Sequence, residues 1–598
     1  MVVNDGSNLI RYHMNKRQFI LHCLRLNKNS YLLAIILIFI VNWLQVEIPH
    51  YIQLAIDLID DSSQVGHDKL TTYVSIVVVM SALMIVVRIF SRIYALNPGR
   101  ITEASLKNDL LKKLNYLPNS FHEKFASGRL ISILNNDLSG VRLLFGTGFM
   151  QLANVIFALS LTPLWMWNIS PELTLYSAIP ISVGFVIFRY GFKRMKKLHA
   201  EQLIRLQELS VQLMNFLSGI DLIKSQQMSP WVQSEAEKCN QQLLECKLKI
   251  TRIQTFIMPV LEFANNLMKI LILGLGGVML LSHQLTIGEI TAFLSYSVLL
   301  ALPLTQLGRI ATIYQRGMVS IDSVQKVLNS DIPAQDLQTL SDEQIDAFKG
   351  NTLSVKNLSF RYHQDQPLVL DDISFDIPAG KKVGVLGSIG SGKTTLVNCL
   401  NHHLDVAKGS IFLGEKDITT ISRNDFRRYI KTVTQSPYLF SATIEENICF
   451  GSENITKSQV EEVLNLSQLA GDVSRFEKGD QTLVGEKGIM LSGGQKQRLS
   501  IARALLKPSD LIIMDDVLSA VDYETERKIL QGVFSRLKNQ AALVVSHRVS
   551  ALEYMDEIIV LSEGRLIAKG SHHFLLKNSP YYYETWQLQQ NEAEDKTC

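Results

Sequence analysis

The sequence predicts a multidomain fold: an α-helical membrane domain of six transmembrane helices followed by an α/β domain built around a phosphate-binding loop. Three observations predict it: six long apolar stretches that all lie before residue 313, a glycine-rich loop between an apolar strand and a helix opening at 382–398, and strand patterns alternating with helix patterns after residue 352. At 598 residues the chain is too long for one core, and 47% hydrophobic residues with a mean hydropathy of +0.13 are high for a wholly soluble protein. The excess is concentrated in the first half. A net charge of only +3 implies no polyanionic partner and no nucleic acid.

The apolar stretches fall at about 31–56, 71–94, 148–167, 173–192, 253–281 and 287–312, each near or above the roughly 20 residues that a bilayer requires. No small-residue cleavage site follows the first, so it is not read as a cleaved signal peptide. Lys and Arg set the orientation: five in residues 1–30, seven in 97–147 and eleven in 189–252, against one (Lys69) in 58–70 and none in 168–172 or 282–286. Basic residues stay on the cytosolic side, so both termini are expected in the cytosol of a multi-pass protein of the inner (plasma) membrane.

The long cytosolic stretches, 97–147 and 193–252, are helical in pattern, with breaks at Leu117-Pro118-Asn119 and Ser229-Pro230. Within the fifth span Glu262, Asn265, Asn266 and Lys269 recur on one helix face. Charge at bilayer depth is expensive and usually faces a cavity, so Glu262, Asn266 and Lys269 are candidate cavity residues; the other reading is that they serve packing, with Glu262 in water if the helix extends into the cytosol. Arg88 and Arg92, near the end of the second span, are expected to snorkel. The six cysteines, Cys23, Cys239, Cys246, Cys399, Cys449 and Cys598, show no metal-ligand spacing and read as reduced thiols.

Helical Ser320 to Leu328 leads into a polar, Asp- and Gln-rich linker at about 329–351, then an α/β domain at 352–585 and a polar, loosely ordered tail from about 586 to 598. In the α/β domain Gly387-Ser388-Ile389-Gly390-Ser391-Gly392-Lys393-Thr394 fits the phosphate-binding loop, whose glycines let successive backbone N–H groups face the β- and γ-phosphates of a nucleotide. Apolar Lys382 to Leu386 before it reads as a buried strand, and Thr395 to Asn398 after it as a helix opening whose dipole favours an anion. Lys393 would bridge the β- and γ-phosphates of ATP while the Thr394 hydroxyl ligates Mg²⁺. Leu511 to Met514 is an apolar run that ends in Asp515 and Asp516, as a buried parallel strand ending at the nucleotide would. Asp515 would hold Mg²⁺ through water, and Asp516 sits where a base would meet the attacking water.

These residues, with Leu491-Ser492-Gly493-Gly494-Gln495 and Ser546-His547-Arg548, carry a resemblance to the ATP-binding cassette family. The resemblance implies that Leu491 to Gln495 is the signature, a helix opening that contacts the γ-phosphate of nucleotide held by the opposite subunit. It also makes Gln435 the Q-loop residue near Mg²⁺, Ser519-Ala520-Val521-Asp522 the D-loop and His547 the switch histidine at the γ-phosphate. Tyr362, otherwise an ordinary strand aromatic, is similar to the residue that stacks on adenine. The membrane layout resembles the exporter type, with Phe121 to Gly128 plus Asn136-Asp137, and Ser218 to Lys224, as the coupling segments; by themselves either could be a surface loop.

Over nearly its full length the chain is similar to bacterial multidrug-resistance-like half-transporters that carry Asp-Asp at 515–516, including Gly485 to Met490 before the signature and His547 to Leu552 after the last core strand. An active cassette usually has Glu where this chain has Asp516, one methylene shorter, and a displacement of about 1 Å can lower a rate by on the order of a hundredfold. The resemblance thus implies an ATP-driven exporter of a drug-like or lipid-like small molecule, paired with a homologous half-transporter whose competent site this chain's signature completes. A heterodimer is preferred over a homodimer. Alternatives are a homodimeric lipid flippase and a nucleotide-gated channel or sensor.

Overall fold

The computed structural model describes residues 14–60, 67–125, 127–337, 340–452, 454–485, 490–519, 521–537 and 540–595. The chain divides into two compact units, the first ending at Asn115 and resuming over Ala126–Ser330, the second comprising Tyr116–Phe125 and everything from Asp331.

In the first unit six helices succeed one another: α1 (Lys28–Asp60), α2 (His67–Tyr116), α3 (Phe149–Ile169), α4 (Pro171–Ser218), α5 (Ser229–Leu281) and α6 (Ile287–Leu328). Five of them contain an expected span whole, and α3 begins one residue inside the span expected at 148–167. At 1.5 Å per residue the 53 residues of α5 reach about 80 Å, far more than the roughly 30 Å of a bilayer's hydrocarbon. Among the described residues five helices are long and apolar enough to cross a membrane, and the sixth span begins with the apolar stretch Ile287–Leu300 of α6.

Helix ends fall where the sequence changes chemistry. Ser170 caps α4 by accepting from Leu173 N at 3.3 Å, with Pro171 at the first helical position, where its missing N–H loses nothing. Thr286 and Glu289 form a reciprocal capping box at the start of α6. Pro118 ends α2, and Asn119–Lys124 forms a short helix; Ile220–Ser225 forms another between α4 and α5. Both expected coupling segments are thus short helices, although Ala126 lies outside the described residues. Phe145, Tyr31 and Phe149 tie the first turns together: Tyr31 donates to Phe145 O at 2.9 Å and packs edge-on against Phe149. Farther along, Met166, Leu173, Met268, Ile272, Phe293 and Tyr296 bury one another between α3, α4, α5 and α6.

The second unit carries a six-stranded sheet in the order β12-β11-β3-β10-β9-β6, parallel except for β12, and a four-stranded antiparallel sheet β2-β1-β4-β5. The strands are β1 (Leu353–Phe360), β2 (Leu370–Ile377), β3 (Lys382–Gly387), β4 (Ile411–Leu413), β5 (Lys416–Asp417), β6 (Ile430–Val433), β7 (Ala442–Thr443), β8 (Leu483–Val484), β9 (Leu511–Asp515), β10 (Ala541–Ser546), β11 (Glu557–Ser562) and β12 (Arg565–Gly570). Both faces of the parallel sheet are covered. Leu511 and Ile513 enter one apolar cluster and Ile512 and Met514 the other, which is why β9 reads as an unbroken apolar run instead of an alternation. Helices α7 (Lys393–Leu400), α8 (Gly493–Leu506), α9 (Tyr523–Arg536) and α10 (Pro580–Asp595) complete the parts that position the site.

Of three further expectations one, the loose tail, is corrected. The linker expected at about 329–351 docks at named points: Asp336 accepts from the Arg423 guanidinium and main chain at 2.7 Å, with both residues buried, and Asp425 accepts from Leu340 N at 2.9 Å. The described part of the tail, 586–595, is not loose: it continues α10, with Trp586 against the core and Gln589 hydrogen-bonded to Val549 N and His547 O. Arg88, expected to snorkel, donates through Nη2 to Gln45 on α1 at 3.3 Å. Cys23, Cys239, Cys246, Cys399 and Cys449 are free, as expected, and Cys598 lies outside the described residues.

Candidate functional site

Four adjacent parallel strands deliver the candidate residues to one edge of the sheet. β3 ends at Gly387 and opens the glycine loop, β9 ends at Asp515, β10 ends at Ser546 just before His547, and β6 ends two residues before Gln435. Ligands of open α/β sheets bind outside these carboxyl ends. That is where the residues collect.

Within the loop, Gly390 (φ 86°) and Gly392 (φ 95°) hold left-handed backbone, and a Cβ on Gly387 would sit 2.4 Å from Ser391 Oγ. Side chains are therefore excluded where the backbone must approach a ligand. Ser391 is buried with its hydroxyl unpartnered among the described residues, and Ser388 and Ile389 are exposed, the latter 95% so. Lys393 Nζ donates to Gly387 O at 2.7 Å and Ser388 O at 2.8 Å. Burial pushes this ammonium below its ordinary range, opposed by Asp516 and Asp515.

Asp515 is buried, and burial raises its pKa, a shift eased by a hydrogen bond from Thr394. No group of three or more His, Cys, Asp or Glu that could cage a metal occurs among the described residues. A carboxylate and a hydroxyl, both hard oxygen donors, fit instead the partial shell of Mg²⁺, which keeps waters and takes phosphate oxygens. The residues present fit MgATP.

Asp516 follows in left-handed backbone (φ 49°), a region Asp tolerates better than most residues. Its N–H donates to Val545 O at 2.9 Å. Its carboxylate lies between two partners, Gln435 Nε2 at 3.2 Å and His547 Nδ1 at 3.0 Å. Thus Asp516, Gln435 and His547 form one connected group, with Lys393, Thr394 and Asp515 beside it.

Tyr362 is half exposed, its ring edge-on to Phe360 and its hydroxyl 3.1 Å from Thr395 Oγ1. The signature stands apart. Ser492 caps α8 in a capping box with Gln495: Ser492 N donates to Gln495 Oε1 at 3.0 Å and Gln495 N to Ser492 Oγ at 3.3 Å. Gln495 Nε2 also donates to Asp472, which pairs with Arg498 at 2.8 Å. Leu491 is buried, and Gly493 and Gly494 open the helix. Residues 486–489 and Ala520 lie outside the described residues. Asp522 caps α9, and the Thr525 N–H holds its carboxyl below the usual range.

In the first unit, Glu262 and Asn266 are exposed on α5 and Lys269 is half-buried. None of the three lines the 320 Å³ cavity between α1, α2, α3 and α6 or the 870 Å³ cavity flanked by Phe188, Leu261 and Arg309.

Two sets of contacts are not legible in the sequence. Gln589 on α10 accepts from Val549 N at 2.8 Å and donates to His547 O at 2.8 Å, clamping the backbone around the histidine. Arg548 gathers Ser519 O (3.1 Å), Val521 O (3.0 Å) and buried Glu526 (3.0 Å). The basic residue next to His547 was visible in the sequence, but its three partners were not.

Comparison with known proteins matches residues 31–304 to the family described as ABC transporter transmembrane region and residues 370–519 to the family described as ABC transporter. The chain is 30% identical over 497 residues to the uncharacterized ABC transporter ATP-binding protein YknU of Bacillus subtilis, covering 82% of this chain and 83% of that one. It is 28% identical over 568 residues to the multidrug resistance-like ATP-binding protein MdlA of Escherichia coli, covering 94% and 95%. The structure of a bacterial Atm1-family ABC exporter with ATP bound superposes with a TM-score of 0.79 at 20% identity, covering 95% of this chain and 99% of that one.

Proposed function

Since the chain belongs to the ABC transporter family, whose activity is ATP hydrolysis coupled to transport, we propose that it is one half of a dimeric exporter whose own ATP site hydrolyses slowly. The observation that carries the slow-site reading is Asp516: its short carboxylate is held by Gln435 and His547 at 3.2 and 3.0 Å, which draws it into a local network instead of extending it toward a water. The relative described as a multidrug resistance-like protein supports a drug-like cargo.

In this reading the glycine-loop N–H groups cradle the ATP phosphates, and Lys393 exchanges the Gly387 and Ser388 carbonyls for phosphate oxygens. Thr394 and Asp515 hold Mg²⁺, which when bound screens charge on the β- and γ-phosphates. His547 stands to meet the γ-phosphate, Gln435 orients beside the metal, and Tyr362 offers its ring to adenine. Ser492 and the first N–H groups of α8 meet nucleotide on a partner's loop, as helix N-termini meet anions. ATP thereby favours the joined state, and only such a difference in affinity between states can move a conformational equilibrium.

Phosphate release from the purified chain alone, then mixed with a Glu-bearing relative, tests the pairing. Slow turnover alone that rises on mixing is the expected result. Vigorous turnover by the chain alone, abolished by Asp516→Asn, would establish a homodimer with a competent site and end the slow-site reading.

A further inference from the structure

The cavity between α1, α2, α3 and α6 has a volume of about 320 Å³, at the small end of the range for organic ligands. Arg88 and Arg92 line it, and no Asp or Glu is among its described lining residues; Glu47, beside lining Val46 on α1, is not one of them. Among the described residues Arg88 finds only neutral partners, Gln45 and the Met84 sulfur, at 3.3 and 3.5 Å. Two further lining groups are unsatisfied: Gln151 Oε1 and Thr162 Oγ1 are buried without hydrogen-bond partners among the described residues, their residues 9% and 0% exposed.

Guanidinium charge among membrane helices is expensive without a counter-charge, and a buried polar atom left unpaired adds to the cost. One kind of ligand removes both penalties. We propose that this cavity binds an oxygen-rich organic anion, either a free small molecule or the head group of an amphiphile, as the charged end of the cargo. Its carboxylate or phosphate meets Arg88 and Arg92, which match such groups in planar, multi-donor geometry. The Thr162 hydroxyl donates to a second oxygen, and a hydroxyl on the ligand donates to Gln151 Oε1. This names the cargo class of the exporter proposed above and rests on that reading for the word cargo; the binding chemistry stands on the cavity itself.

The test uses the full chain in phosphatidylcholine nanodiscs, with fluorescence anisotropy of carboxyfluorescein as the anionic probe and rhodamine 123 as the cationic one. The anion binds at least tenfold more tightly. Arg88→Gln combined with Arg92→Gln weakens anion binding at least tenfold, the Lys pair retains most of it, and Thr162→Val, which keeps the volume, loses a few-fold. The Lys pair and Thr162→Val decide the matter should the Gln pair fail to fold. Displacement by glycerol 3-phosphate identifies a soluble source; displacement only when phosphatidylglycerol is built into the disc identifies a lipid head. Equal affinity for the two dyes, or anion binding indifferent to all three variants, overturns the proposal. Vanadate-sensitive ATPase of the unaltered chain paired with its Glu-bearing relative in the same discs separates the two readings: its presence with equal dye affinities defeats the anion site alone, and its absence with arginine-dependent anion binding defeats the exporter reading alone.

Discussion

His547 Nδ1 lies 3.0 Å from Asp516 Oδ1. A carboxylate only accepts, so the imidazole proton of this pair resides on Nδ1 and Nε2 is left facing away from Asp516. The second carboxylate oxygen takes the Gln435 amide at 3.2 Å. Asp516 is therefore occupied at both oxygens by its own chain.

A longer side chain at this position should reach beyond that network. Asp516→Glu is expected to raise steady-state phosphate release by the chain alone about tenfold to a hundredfold, the range that roughly 1 Å of reach commands. The same change should lower stability by about 1 kcal/mol, because residue 516 has φ 49° and Glu tolerates that conformation less well than Asp. Turnover unchanged in Asp516→Glu would show that carboxylate reach does not limit the reaction.

Lys393 is held by two loop carbonyls, at 2.7 and 2.8 Å, and burial disfavours its charge. Phosphate oxygens offer it a stronger, charge-assisted alternative. Lys393→Ala should weaken binding of a fluorescent ATP analogue on the order of tenfold to a hundredfold, from about 1.5–3 kcal/mol of lost interaction. Retained affinity in this variant would remove Lys393 from the phosphate site.

What the sequence reveals and conceals follows from the range of each interaction. The glycine loop, the β9 run into Asp515 and the capping box at Ser492 are local: their partners lie within a few residues, so composition and spacing display them. Asp336 and Arg423 are 87 residues apart, and Gln589 reaches back 42 residues to His547 O. No periodicity marks such pairs. A polar stretch that docks through one aspartate looks like a linker, and a helix fixed by one glutamine looks like a tail. Hydropathy likewise places Arg88 along a span but is blind to Gln45 on the neighbouring helix.

His402 supplies a pH dependence. It is 1% exposed, and burial, reinforced by Arg423, lowers its pKa from 6.5 to about 4. Between those values the unfolded chain binds a proton that the folded domain does not, so stability is full above about 6.5 and is lost as pH falls toward 4, by about 3 kcal/mol at most. His402 also has φ 54°, which Asn accommodates. The melting temperature of His402→Asn, followed against that of the unaltered chain from pH 7 to pH 4, should fall less steeply. Parallel curves would assign the acid sensitivity to other groups.

Gln589 connects α10 to the histidine without touching the nucleotide's own loop. Its amide satisfies Val549 N and His547 O at 2.8 Å each, and removal of the side chain strands both, at a cost of about 1–3 kcal/mol. Gln589→Ala should lower the melting temperature and slow turnover several-fold in the assembled transporter, with ATP-analogue affinity retained because Lys393 and the glycine loop are unaltered. Gln589→Glu separates the two bonds: it still accepts from Val549 N but presents a second acceptor to His547 O, so it should slow turnover as much as Ala if the histidine carbonyl is the group that matters. Normal turnover in both variants, with the melting temperature lowered, would make the clamp a device of stability only; slowed turnover in both would place the C-terminal helix among the elements that set His547 for the γ-phosphate contact proposed for it.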